Sequence, residues 1–246
     1  MFKKLLFITA LAVTVVSCQF TEIMVLEEDG SGRVSMEMDF SEMMAMGDSF
    51  GKDTTLVKLD TIVYMKDILE EKKDSISQLP KEQQQNLKKL KNFAFRTKMD
   101  PDTKKMFFNI GTEFTNVEQA NELMNAVENS GAFMQGTGDD MKVGNDEDSE
   151  GVIAVNYSFK KGKFIRDAYI RDKAKHKTQM DSMSQAETFL STITYKLKYT
   201  FPKKIKKVSV EDATFSLDGK TLEFERSMVD YMKDPDVMDL EVELEN

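Results

Sequence analysis

Two strand-like runs, residues 20–28 and 33–40, flank Asp29-Gly30-Ser31-Gly32, and the second alternates polar and apolar residues. An Asp-Gly turn between two such runs predicts a β-hairpin, with the alternating strand half-buried. Val34, Met36, Met38 and Phe40 share one face, and Arg33, Ser35, Glu37 and Asp39 take the other. The same pattern recurs at 93–99 with 105–114 around Asp100-Pro101-Asp102, and at 152–159 with 163–170 around Lys160-Lys161-Gly162. Strand-like runs then fill the C-terminal part, at 191–201, 206–210, 213–217, 221–225 and 237–245, with Asp218-Gly219 turning one pair. Helical spacing is expected at 62–79, through Ile62, Met65, Leu69, Ile76 and Leu79, and at 80–91 and 172–190. Thr115 and Glu118 form a T-x-x-E capping box opening a helix at about 116–129, with Leu123, Met124 and Val127 on its stripe. Ser227 caps a short helix before Asp234-Pro235. No βαβ run appears. The expected class is α+β: an antiparallel sheet built from hairpins with packed helices, ending in a strand-rich meander.

The first residues read as an address. Lys3 and Lys4 precede twelve uncharged, mostly apolar residues at 5–16, followed by Ser17 and Cys18. That run is too short to span a bilayer core of about 30 Å but suits a signal-peptide core. Small Ser17 before Cys18 resembles the bacterial lipobox. The resemblance implies diacylglycerol on the Cys18 thiol, cleavage before Cys18 and acylation of the new amine. Residues 1–17 are then a cleaved signal peptide, and residues 18–246 form one extracytoplasmic α+β domain held to the cell envelope, with the outer membrane favoured over the inner. Only a short Gln19-Phe20-Thr21 lead would separate lipid from body. Cys18 is the single cysteine, which fits an oxidising compartment where a spare thiol is a liability.

Composition narrows the function. The net charge of −9 argues against nucleic acid as a partner. One cysteine and one histidine exclude a disulfide framework and a Cys/His metal cluster. The stretch 134–151 is Gly-rich and acidic, and is expected to be a mobile surface loop.

Two blocks of sequence have a familiar pattern: TEIMVLEEDGSGRVSMEMDFSEM at 21–43 and YTFPKKIKKVSVEDATFSLDGKTLEFE at 199–225. Together they resemble membrane-anchored bacterial lipoproteins of the LppM-like type, in the style of Bacteroidetes-type lipoproteins. The matching features are the strand–DGSG–strand hairpin, Phe201-Pro202 at a strand end and the Asp218-Gly219-Lys220 turn. The resemblance implies an antiparallel sheet with packed helices and, in some members, lipid binding. It brings no catalytic residues.

Candidate chemistry is sparse. The chain has 18 methionines, and Met36, Met38, Met43, Met44 and Met46 cluster; soft thioethers suit Cu(I), whereas methionine also fills irregular core space. Asp146, Asp148, Glu150, Gly151 and Ile153 fall at EF-hand-like loop positions, but position 12 is Tyr157, and a solvated acidic loop fits as well. His176 lies in a lysine-rich stretch and is expected at the surface. The lysines of 203–207 suit either phosphate headgroups or the guarding of a strand edge. Soft apolar side chains at Met36, Met38, Phe40, Phe93 and Phe95 suit an apolar ligand between sheet and helices, or a filled core. The leading expectation is a non-enzymatic envelope lipoprotein binding lipid or a protein partner, with no cofactor. The alternatives are an extracytoplasmic copper- or calcium-binding protein, and an enzyme, such as a glycosidase, hidden among the carboxylates; the absence of Trp disfavours a sugar-handling site.

Overall fold

A computed structural model describes residues 18–45, 57–121, 125, 152–183 and 187–246. The signal segment 1–17, the loop at 47–55, most of the helix expected at 116–129 and the acidic stretch 134–151 lie outside the described residues, as do Leu123, Met124 and Val127.

Among the described residues twelve strands dominate: β1 (Gln19–Leu26), β2 (Gly32–Asp39), β3 (Leu59–Tyr64), β4 (Ala94–Asp100), β5 (Lys105–Phe114), β6 (Ile153–Lys160), β7 (Lys163–Ile170), β8 (Thr194–Thr200), β9 (Ile205–Val208), β10 (Thr214–Phe215), β11 (Thr221–Ser227) and β12 (Leu240–Leu244). They form an eight-stranded sheet ordered β10-β11-β8-β1-β2-β5-β4-β3 and a four-stranded sheet ordered β6-β7-β12-β9. Among the described residues seven short helices accompany them: α1 (Ser41–Ala45), α2 (Met65–Glu71), α3 (Lys73–Ser77), α4 (Lys81–Lys89), α5 (Lys173–Met183), α6 (Glu187–Leu190) and α7 (Met228–Lys233).

The first hairpin forms around its Asp-Gly turn, with the alternation of β2 kept. Gln19 pairs with Asp39 and Leu26 with Gly32. Gly30 takes φ 84°, and Asp29 Oδ1 accepts from the Ser31 amide at 2.9 Å. Gly32 is required for a different reason: a Cβ there would sit 2.1 Å from the Val25 carbonyl oxygen.

Four expectations need correction. The large sheet is mixed, because β1 runs parallel to β8, Gln19 opposite Thr194 and Val25 opposite Thr200. The C-terminal strands are not a meander. The chain passes from β8 in the large sheet to β9 in the small one, back to β10 and β11, then to β12, so both layers are stitched by one segment. The helix expected at 62–79 begins at Met65; residues 59–64 pair as a strand with β4, Leu59 opposite Met99 and Tyr64 opposite Ala94. Leu59, Thr61 and Val63 also alternate, and β-branched Thr61, Ile62 and Val63 favour the strand. At 115–119 the cap is Asn116, whose side chain accepts from the Glu118 amide at 3.0 Å. Gln119 Oε1 accepts from the Thr115 amide at 3.0 Å, so Thr115 and Glu118 do not form a capping box.

The core lies between the sheets. Phe20, Met24, Met36, Leu197, Tyr199 and Leu222 from the large sheet are buried with Phe164, Ala168 and Val242 from the small one. Phe164 packs edge-on against Tyr199 and Phe201, with ring centroids 5.5 and 5.4 Å apart. At the far edge of the large sheet every residue of β3 is exposed.

Candidate functional site

The apolar layer between the sheets holds one concentration of charge. On β1, Phe20, Glu22 and Met24 share the inward parity; on β7, so do Phe164, Arg166 and Ala168. Glu22 is 0% and Arg166 1% exposed. Arg166 Nη2 donates to Glu22 Oε2 at 3.1 Å and to the Tyr195 hydroxyl at 3.3 Å. Its Nη1 donates to the Met238 carbonyl at 2.9 Å. Tyr195 donates to Glu22 Oε2 at 2.6 Å. Tyr157 from β6 and Tyr199 from β8 both donate to Glu22 Oε1. One carboxylate thus accepts from three phenols and a guanidinium.

Burial pushes the Glu22 carboxyl up, but the adjacent Arg166 charge and the three phenol hydrogen bonds outweigh it and hold it below the usual carboxylate range. Burial, then the Glu22 charge, pushes the Tyr157, Tyr195 and Tyr199 hydroxyls well above theirs. The pair is therefore ionised and the phenols neutral. A reacting carboxylate must meet its substrate, and this one is sealed from solvent. Its role is to fix how the two sheets lie on each other: a slip of one residue would leave a buried charge unmatched.

The salt bridge also serves as a level mark across the sandwich. Four residues back along β1 lies Cys18; four residues forward along β7 lies Ile170. At roughly 3.3 Å per residue both sit about 13 Å toward the same end. Cys18 precedes β1 directly, and its carbonyl accepts from the Thr194 amide at 3.0 Å. Cys18 is 6% exposed, within the buried core cluster. Cleavage after Ser17 would make it the terminal residue, still bonded through its carbonyl to β8.

The opposite end carries the hairpin turns. Glu28 to Gly30, Phe159, Lys161, Gly162, Pro202, Lys203 and the last residues Leu244 to Asn246 outline an open cleft of about 470 Å³. Its charges are mixed, and its apolar wall is limited to Phe159, Pro202 and Leu244. The lysines of 203–207, which suit either headgroups or the guarding of a strand edge, start at this end, away from Cys18.

The remaining candidates disperse. Met36 is fully buried on β2 and Met38 nearly so, both within the packed core. Met44 is half-buried in α1, Met43 belongs to the same helix, and Met46 lies outside the described residues. Asp146, Asp148, Glu150 and Gly151 lie outside them too. Tyr157, position 12 of the calcium-like loop, is committed to Glu22. Among the described residues no group of three or more His, Cys, Asp and Glu side chains could hold a metal ion. His176 is half-buried rather than at the surface; its Nε2 donates to the Met232 carbonyl at 2.7 Å. Phe40 and Phe95 pack against the core that includes Phe93. Among the described residues no helix is long and apolar enough to cross a membrane.

The sequence reading missed Glu22, Arg166 and the three tyrosines. The signal was present: a lone acid between Phe20 and Met24, and a lone base between Phe164 and Ala168, each at inward parity.

No family model matches the chain, and no curated protein matches it in sequence. Among solved structures, the NMR structure of the Mycobacterium tuberculosis LppM folded domain is similar over 93% of this chain and 89% of that one, with a TM-score of 0.41 and 8% identity. The functional reading rests on this chain's own residues.

Proposed function

We propose that this chain is a non-enzymatic lipoprotein of the bacterial cell envelope, anchored through acylated Cys18, that works by binding lipid or a protein partner. Residues 1–17 act as a cleaved signal, and residues 18–246 form one α+β domain. The observation that carries the reading is the position of Cys18. It ends the apolar leader and immediately precedes the first rung of β1, so a lipid on its thiol seats one end of the sandwich against the bilayer. One acyl chain holds a protein only marginally, whereas two or three hold it stably. The cleft at the other end then faces away from the membrane, where a partner can reach it.

The test is intact-mass measurement on protein extracted in detergent from its own envelope. The reading expects a chain starting at Cys18 and carrying diacylglycerol and an amide-linked acyl group. A chain retaining residues 1–17, or starting elsewhere without lipid, overturns it.

A further inference from the structure

The chain is acidic overall, yet residues 171–177 read RDKAKHK. Arg171, Lys173, Lys175 and Lys177 are all exposed. Asp172 is occupied as the cap of α5, its Oδ1 accepting from the amides of Ala174 at 2.8 Å and Lys175 at 3.0 Å. Arg171 donates to a neutral partner, Asn125 Oδ1, at 2.6 Å. Among the described residues no ion pair engages Arg171, Lys173 or Lys177. Lysines at a helix start oppose the helix dipole, so the helix itself gains nothing from them.

A chain of hydrogen bonds places this segment at the Cys18 end. The Cys18 carbonyl accepts from the Thr194 amide, and the carbonyl of Ile193 beside it accepts from the Met228 amide that starts α7. The carbonyl of Met232, one turn further along α7, accepts from His176 in the middle of the basic run. The strand count from the Glu22–Arg166 bridge gives the same placement.

We propose that Arg171 and the start of α5, carrying Lys173 and Lys177, rest on anionic lipid headgroups. The inference rests on acylation of Cys18, because the anchor is what brings this end to the bilayer. An acyl anchor plus a polybasic patch is a two-signal attachment. Asp230, Asp234 and Asp236 lie on the separate segment after β11, where Lys233 is paired with Glu187 at 2.5 Å; Asp39, opposite Gln19, and Asp172 also belong to this end. Headgroups then meet Arg171 and the start of α5 rather than the acids after β11.

The experiment compares acylated protein in vesicles of phosphatidylcholine alone with protein in vesicles also containing phosphatidylglycerol. Lysines are modified with an amine-reactive reagent and read peptide by peptide. Lys173 and Lys177 should react several-fold more slowly on the anionic vesicles, with the protection lost at high salt. Lys203 and Lys206, at the far end, should react equally on both. Equal labelling of Lys173 and Lys177 on the two vesicles, in a chain whose mass shows acylated Cys18, overturns the patch alone. A chain without acyl mass overturns the anchor and the patch with it.

Discussion

Glu22 and Arg166 stand 144 positions apart in the chain and 3.1 Å apart in space. Their contact is the point at which the two sheets are keyed. Three tyrosine hydroxyls complete the carboxylate's shell, and Met238 takes up one guanidinium nitrogen. Desolvating two charges is costly, and only this density of partners offsets it.

Removing one charge from the pair should therefore cost more than removing both. Glu22→Leu or Arg166→Met alone should lose about 3–5 kcal/mol of unfolding free energy, because the partner stays buried and uncompensated. The double variant should recover a substantial part of that loss. Urea unfolding of the three variants checks it; strictly additive losses would mean that the charges are not coupled.

Stability should fall at both pH extremes through this network. Glu22 has a depressed folded value, so its contribution is present above its unfolded value, about 4.3, and is lost as pH falls through the folded one. The tyrosines have raised folded values, so theirs is intact below about pH 10 and is lost as pH rises beyond it. In unfolding curves across pH, Glu22→Gln should show a shallower acid slope than the wild type. Replacing Tyr157, Tyr195 and Tyr199 with Phe should flatten the alkaline one. Unchanged slopes would contradict the assignment.

The first hairpin makes a sharper demand at Gly32 than at Gly30. A Cβ on Gly32 meets a backbone oxygen at 2.1 Å, which cannot move without opening the β1–β2 ladder. A Cβ on Gly30 meets open space and is opposed by its φ of 84° alone. Gly32→Ala should destabilise by roughly 2 kcal/mol or more, and Gly30→Ala by about 1 kcal/mol. Thermal melts of the two variants would show the order, and a reversed order would refute it.

Much of the sheet was legible because hairpins announce themselves locally. Asp29-Gly30, Lys161-Gly162 and Asp218-Gly219 each mark a turn the structure contains, and alternation sorted Met36 and Met38 inward. What crosses the fold was not legible. The parallel pairing of β1 with β8 joins residues about 175 positions apart, and no local pattern records it. Residues 62–64 misled because a short apolar run flanking a helix satisfies both periods. The charge network lay in plain view as two parity violations, but each side chain alone reads as an ordinary surface charge. Only the meeting of β1 and β7 makes them partners.

The account's central claim is that Cys18 holds this body to a membrane, and Cys18→Ala tests it most directly. Without a thiol to carry diacylglycerol, the lipid attachment that the reading assigns cannot form. The measurement is detergent partitioning and fractionation of cells producing either chain, together with metabolic labelling by a fatty-acid analogue. The account predicts label and a detergent-phase protein for the wild type, and neither for Cys18→Ala. Full membrane partitioning of Cys18→Ala, with a wild type that takes up no label, would contradict it.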